Sequence, residues 1–307
     1  MKIVVLCSTY NGEKYLIDQI DSILSQELSA DAELKIYVRD DGSKDRTTNI
    51  LEGYQSSGKL KWYSGNNIGP GRSFWDLIQT AEDADYYAFC DQDDVWCQRK
   101  ILHAIEQLEH ISNQNECPCL YTGNVIITDE FLKPIGGAVA QFHYTDCAHT
   151  LIYPSSPGCT YVFNRVARQI LKKYKMTAEN EIIHDWLSQA IVSIFGKVIY
   201  DEEPYMFYRQ HADNMIGAIE KGPLIKKSLT RLKRGICSKA TKNRSKMASF
   251  LLDSYLDIPS DKREILQTVS GYERSIRSHF KFMNDDKFLT NTTADIYFYL
   301  LIITNRL

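Results

Sequence analysis

The chain has 307 residues, 44% apolar and 24% charged. These values are close to those of soluble globular proteins; they exclude a disordered or membrane-embedded class and allow one large domain with an appendage, or two domains. The net charge of −3 is unevenly placed, because residues 221 to 246 hold ten Lys or Arg and no Asp or Glu, leaving −13 on the rest.

Ile3 to Cys7 is a continuous apolar, β-branched run, the pattern of a strand covered on both faces. Leu16, Ile20, Ile23 and Leu24 follow at helical spacing, and Leu34 to Val38 reads as a second strand ending in "RDDGSKD". Ile50 and Leu51 carry the next helix, and "KLKWYSG" is a third strand. "NNIGPGRSFWDLIQTA" is a Gly/Pro loop entering a helix, and "DYYAFC" is a fourth strand delivering "DQDD". A helix through Ile101, Ile105 and Leu108 leads to strand-like pieces at "CLYTGNVIIT" and "GCTYVFN", and a strongly patterned helix follows "HDW". This alternation predicts an α/β fold with a doubly wound, mostly parallel sheet over residues 1–217 and a basic, helical C-terminal region over 218–307.

Eight cysteines without paired CxxC spacing indicate a reducing, cytosolic compartment. The apolar run of "MKIVVLCSTYNGE" is too short for a signal peptide, and "IYFYLLIITNRL" falls short of the ~20 residues of a membrane span. Neither end is expected to cross a membrane.

Four polar clusters, "STYNGE", "RDDGS", "GNNIG" and "DQDD", fall at the carboxyl ends of the predicted strands, where such sheets bind ligands. In extended chain, side chains two apart point the same way, so Asp91 and Asp93 are expected to converge. Two bare carboxylates favour a divalent ion, Mn2+ or Mg2+, with oxygen ligands. The alternative is a solvated acidic loop with Asp94 capping the next helix. Asp40 and Asp41 stand where a carboxylate can accept from a ribose or a base N–H, or simply cap a turn. The first tip has neither GxGxxG nor GxxxxGK[ST] spacing, which disfavours a Rossmann dehydrogenase and a P-loop NTPase.

The segments "STYNGEKYLIDQIDSILSQ", "VRDDGSKDRT", "NIGPGRSF", "CDQDDVW", "PGCTYVFN", "HDW" and "YRQHADN" together resemble the family 2 glycosyltransferases of GT-A fold, and more narrowly their bacterial rhamnosyltransferase branch, over about residues 1–217. The resemblance implies inverting transfer of a sugar from a nucleotide diphosphate donor with Mn2+ or Mg2+. It implies nucleotide contacts at Thr9, Tyr10 and Glu13, base or ribose contacts at Asp40 or Asp41, and the DxD positions at Asp91 and Asp93. The third carboxylate, Asp94, leaves the pairs 91/93 and 93/94 both open. The resemblance also implies that Asp185 is the general base, although its position suits an N-cap equally well. His211 is implied near the metal or the diphosphate, and Arg209 could add charge there. Gly158 and Trp186 would line the acceptor pocket, where an aromatic face suits a sugar.

Leu224, Ile225, Leu229, Leu232 and Ile236 recur among the positive charges, as in a basic amphipathic helix. An anionic membrane surface is favoured over nucleic acid as its partner, with a plain packed helix as the third option. The resulting expectation is a cytoplasmic enzyme at the inner face of the plasma membrane. It would move rhamnose from dTDP-rhamnose, or a hexose from UDP-glucose or UDP-galactose, to a polyprenyl-diphosphate-linked glycan in surface polysaccharide synthesis. A non-catalytic nucleotide-sugar-binding protein is the alternative from another class.

Overall fold

The apolar run at the start of the chain forms β1 (Lys2–Thr9), and Ile3 to Cys7 are all buried. Alternation along the strand divides them between two cores. Val4 and Leu6 join one apolar cluster, while Ile3, Val5 and Cys7 join another on the opposite face. β4 (Tyr86–Cys90) repeats the division, with Tyr87 and Phe89 on the first side and Tyr86, Ala88 and Cys90 on the second. A strand apolar on both faces needs cover on both, which is why the sheet is sandwiched between helices.

A computed structural model describes residues 1–111, 117–137, 143–153, 156–211, 243–272 and 275–290, with four more between 295 and 302. The main sheet runs β3 (Lys61–Ser64), β2 (Glu33–Asp40), β1, β4, β8 (Val162–Asn164), β6 (Cys119–Gly123) and β9 (Lys197–Asp201). All its pairings are parallel except those of β8, which runs against both β4 and β6. α1 (Leu16–Leu24), α2 (Thr47–Ser56) and α4 (Lys100–Ile111) cover one face, and α3 (Pro70–Thr80), α5 (Cys147–Ile152), α6 (Arg165–Leu171) and α7 (His184–Phe195) cover the other.

Two departures from regular winding position the site. Because β8 is antiparallel, the turn before it (Gly158–Thr160) arrives at the carboxyl end of β4. In addition, a small sheet of β5 (Val95–Trp96), β10 (Met206–Arg209) and β7 (Ile126–Thr128) carries the chain after β10 to the same end.

The described C-terminal helices, α8 (Asn243–Ser254), α9 (Ser260–Gly271) and α10 (Ile276–Met283), bury Met247, Leu251, Leu266, Val269 and Phe282 in the cluster that also holds Phe74, Leu187 and Ile191. They extend the core of the main sheet. The basic helix expected around Leu224 to Ile236 lies outside the described residues. Among the described residues, no helix is long and apolar enough to cross a membrane.

Candidate active site

Hydrogen bonds join the four polar tips into one rim. From the first tip, the N–H groups of Asn11, Gly12 and Glu13 donate to Ser43 Oγ (2.8 Å), Thr47 Oγ1 (2.8 Å) and Asp45 Oδ2 (3.0 Å) at the second. Gly65 N–H at the third donates to the Asp40 carbonyl at 2.9 Å. Gln92, between Asp91 and Asp93 of the fourth, accepts from Thr9 Oγ1 (2.6 Å) and Tyr10 N–H (2.8 Å), and its Nε2 donates to the Tyr10 carbonyl (3.1 Å). A Cβ on Gly12 would lie 2.5 Å from Gln92 Oε1, so glycine is what admits this amide. Nothing but its place inside a DxD marks Gln92 in the chain.

Thr9 is buried beneath this rim, whereas Tyr10 is 45% exposed. Glu13 accepts from the Arg46 N–H and guanidinium, and these bonds lower its pKa. Asp40 accepts from Gly42 N–H, Ser43 N–H and Ser64 Oγ. Asp41 pairs with the Arg39 guanidinium and accepts from Ile68 N–H (3.0 Å) and Gly69 N–H (2.9 Å). Both carboxylates are buried and committed to their own loops, so the nucleotide contact expected of them would have to displace one of these bonds.

The acidic tip is organised differently. The chain bends at Gln92 and Asp93, and the bend replaces the period-two pairing expected of extended chain with an i, i+3 pairing. Asp91 and Asp94 converge with Cys159, one ligand atom from each lying within 4.8 Å of the others. Asp93 instead meets His211, with Oδ2 2.7 Å from Nε2, and the His211 ring packs on Tyr15. Asp94 is fully buried and caps no helix, since α4 begins at Lys100. Its Oδ1 accepts from Arg209 N–H at 3.1 Å, and its Oδ2 has no nitrogen or oxygen partner. Burial, then Asp93 and Asp91, push the Asp94 pKa well above the carboxylate range. Burial, then Asp93 and Asp185, raise that of Asp91 to about 7.

Asp185 lies in the first turn of α7 but is not its cap, a place taken by Ile183. Its Oδ1 accepts from the Trp186 N–H at 2.6 Å, and burial outweighs its backbone hydrogen bonds to raise its pKa to about 6. Gly158 makes this approach possible, because a Cβ there would stand 2.9 Å from the Asp185 Cβ and 2.7 Å from His184 Nε2. His184 is buried, stacked on Phe74 with neither ring nitrogen partnered, and burial lowers its pKa to about 3. It is a neutral wedge under Asp185.

Two expected site residues face elsewhere. The Arg209 guanidinium lies over the Tyr15 ring and donates to the Asp93 carbonyl (2.8 Å), the Glu130 carbonyl (2.7 Å) and Asp18 (2.8 Å). It fastens the acidic loop to α1 instead of reaching toward a departing diphosphate. Trp186 is 7% exposed, donates from Nε1 to the Thr150 carbonyl at 2.7 Å and carries Arg244 over its ring. Its position in α7 turns it into the core, where it joins the apolar cluster on the α3 side of the sheet.

The acidic tip fits a divalent cation. Asp91 and Asp94 supply hard oxygens, and Asp94 Oδ2, buried with only the Cys159 thiol as a hydrogen-bond partner and Lys100 as the nearby cation, can take a further positive neighbour or a proton. Cys159, which also lies in this cluster, was legible only as a small hydrophobe, because β8 brings it there from 68 positions along the chain.

Comparison with known proteins is consistent with this geometry. A model of glycosyl transferase family 2 matches residues 4–171. The dTDP-rhamnosyl transferase RfbG of Shigella flexneri is 34% identical over 230 residues, 69% of this chain and 73% of its own length. The glycosyltransferase alr2836 of Nostoc sp. is 34% identical over 228 residues, 70% of this chain and 66% of its own. Among solved structures, TarS 1–349 of S. aureus superposes with a TM-score of 0.56 at 17% identity, covering 100% of this chain and 81% of that one. The mannosyltransferase PcManGT from Pyrobaculum calidifontis, solved with GDP-Man and Mn2+, gives 0.53 at 14%, covering 92% and 70%. At these identities the superpositions establish the fold, the GT-A arrangement of a mostly parallel sheet between helices. The chain is a glycosyltransferase that belongs to glycosyl transferase family 2.

Proposed function

We propose that the enzyme transfers rhamnose from dTDP-rhamnose to a glycan acceptor with inversion at the sugar carbon. One observation carries the reading: Asp185 stands beside the acidic tip with its carboxyl raised to about 6, and its charge is felt by Asp91. Direct displacement requires a base on the face opposite the leaving group, to take the acceptor hydroxyl's proton as the new bond forms. A carboxylate of pKa near 6 is ionised at neutral pH yet basic enough to share that proton.

Asp91 and Asp94 would hold a divalent cation, Mn2+ or Mg2+, with Asp93 and His211 beside them. When bound, the ion supplies positive charge to the departing nucleoside diphosphate. Tyr10 offers a ring to the base, while Thr9 and Gln92 hold that tip against the acidic one. Asp40, Asp41 and Glu13 keep the rim rigid by binding neighbouring loops.

The choice of dTDP-rhamnose is supported by the similarity to RfbG. A UDP-sugar donor is the second reading, favoured by a 96-residue match at 34% identity to TarS, a poly(ribitol-phosphate) β-N-acetylglucosaminyltransferase. The acceptor is proposed to be a polyprenyl-diphosphate-linked glycan at the cytoplasmic face of the plasma membrane, a reading supported by the ten Lys or Arg of residues 221 to 246. A thermal-shift panel of dTDP, UDP and GDP, each with and without Mn2+ or Mg2+, tests donor class and metal together. Stabilisation by dTDP only when a cation is present is the expected result. Stabilisation by none of the three sinks the proposal.

A further inference from the structure

A pair of thiols stands at the far end of the sheet from the acidic tip. β6 runs the same way as β4, because both pair against the reversed β8, so the start of β6 lies opposite the carboxyl end of β4. There, on either side of Pro118, Cys117 and Cys119 bring their sulfurs to 3.4 Å of each other.

The backbone holds them in this contact. Asn164 accepts from the Cys119 N–H at 3.0 Å and donates from Nδ2 to the Cys117 carbonyl at 2.9 Å, so one side chain fixes both flanks of the proline. The Pro118 carbonyl accepts from the Lys197 N–H at 2.9 Å, and a Cβ on Gly196 would strike that oxygen. The proline ring removes a further rotation. The sulfurs are therefore brought together before any reaction.

The two thiols are not equivalent. Cys119 is buried, and burial followed by the neighbouring Cys117 pushes its thiol up to about 12, which keeps it protonated. Cys117 is only half-buried and lines a cavity of about 510 Å3, a volume within the range of small-molecule sites. Ile194 and Phe195 give this cavity an apolar wall. Its charged groups are Lys197, Lys262 and Asp146, and His149 already holds the Asp146 carboxylate at 2.8 Å. The balance suits an anionic molecule of peptide size. An accessible thiol backed by a second thiol in contact passes from a mixed disulfide to an internal one.

We propose that Cys117 and Cys119 form a reversible dithiol–disulfide couple, a modification site for small anionic disulfides of the glutathione type. The Cys117 thiolate attacks one sulfur of the small disulfide, whose S–S bond breaks and releases one thiolate. The Cys119 thiol then gives its proton to solvent, and its sulfur attacks that of Cys117 and expels the second thiolate. The protein loses two hydrogens with their electrons, and the small disulfide gains them as two thiols. The closed loop spans a single intervening residue, so it adds little stability and opens again under reductant. The couple is independent of the donor and of the transfer reaction.

Peptide mass mapping tests it on the full chain, reduced, exposed to oxidised glutathione, quenched in acid and alkylated with N-ethylmaleimide in denaturant. The expected result is a peptide that holds Cys117 and Cys119, has lost two hydrogens, carries no alkyl group and is restored by dithiothreitol. Cys119→Ser should stop at a glutathione adduct on Cys117, and Cys117→Ser should leave Cys119 free to be alkylated. An unchanged melting curve verifies that Cys117→Ser, altered at a half-buried position, is folded. A lasting glutathione adduct on Cys117 of the wild type, or alkylation of both thiols at every ratio of oxidised to reduced glutathione, would overturn the couple. Oxidation of Cys119 in folded Cys117→Ser would overturn it as well. The wild-type map decides by itself, and the variants assign the order of attack.

Discussion

At the end of β2, Asp40 and Asp41 are buried and satisfied: Asp41 alone has the Arg39 guanidinium and two backbone N–H groups. At the end of β4, Asp91 and Asp94 are crowded with a third acid and a thiol, their pKa values are raised, and one Asp94 oxygen has no nitrogen or oxygen partner. Both tips read as acidic pairs in the sequence, and folding separates them into a hydrogen-bonded support and a crowded cluster with raised pKa values, which the proposed function takes as its reaction centre. Carboxylates whose hydrogen bonds the protein completes hold its shape. Those left incomplete are the candidates for binding a cation.

The largest effect that can sharpen this contrast is at Asp185. Replacing it with Asn keeps the shape but removes the base, and transfer should fall by about 10³-fold with donor binding unchanged. Initial rates set beside donor calorimetry measure this, and an equal loss of both would contradict the role. Next comes Asp41→Ala, which takes one of two carboxylates from the Arg39 guanidinium, leaving Asp76, and removes the acceptor of the Ile68 and Gly69 N–H groups; it should reduce stability by about 2–3 kcal/mol in denaturant unfolding. A loss below ~1 kcal/mol would show that the β2 tip is not the support described.

A smaller effect is expected where the two kinds of tip meet. Gln92→Ala removes three hydrogen bonds between the acidic loop and the first tip, one with Thr9 and two with Tyr10, and should raise the donor KM about tenfold while changing kcat less. A fall in kcat alone would assign Gln92 to the chemistry instead. Smallest is the pH response. Asp91 and Asp185 have folded pKa values of about 7 and 6, above their ordinary 3.8, so the native state binds more protons and its stability falls as pH rises through that window. The metal-free protein should melt about 2–4 °C lower at pH 8 than at pH 5, and Asp91→Asn should shrink the difference. A midpoint that rises with pH would refute it.

Much of this was legible in the chain. The all-apolar run Ile3 to Cys7 could only be a strand covered on both faces, and the four tips fell where such sheets bind ligands. The details that escaped depend on geometry that sequence spacing does not encode. A bend at Gln92 and Asp93 exchanged the pairing of Asp91 with Asp93 for that of Asp91 with Asp94. The reversal of β8 delivered Cys159, which no local pattern could place, next to Gly158, which the resemblance had implied. Trp186 was expected at a sugar face, but one turn into α7 the helix directs it inward onto the Thr150 carbonyl. Short elements such as β5, two residues long, carry too little pattern to recognise.

The most direct measurement is anomalous diffraction from a crystal soaked with Mn2+ and dTDP. A manganese peak between the carboxylates of Asp91 and Asp94, with Asp40 and Asp41 keeping their loop hydrogen bonds, is the result this account predicts. A peak at the β2 tip, or no peak in a crystal that contains the nucleotide, would contradict it.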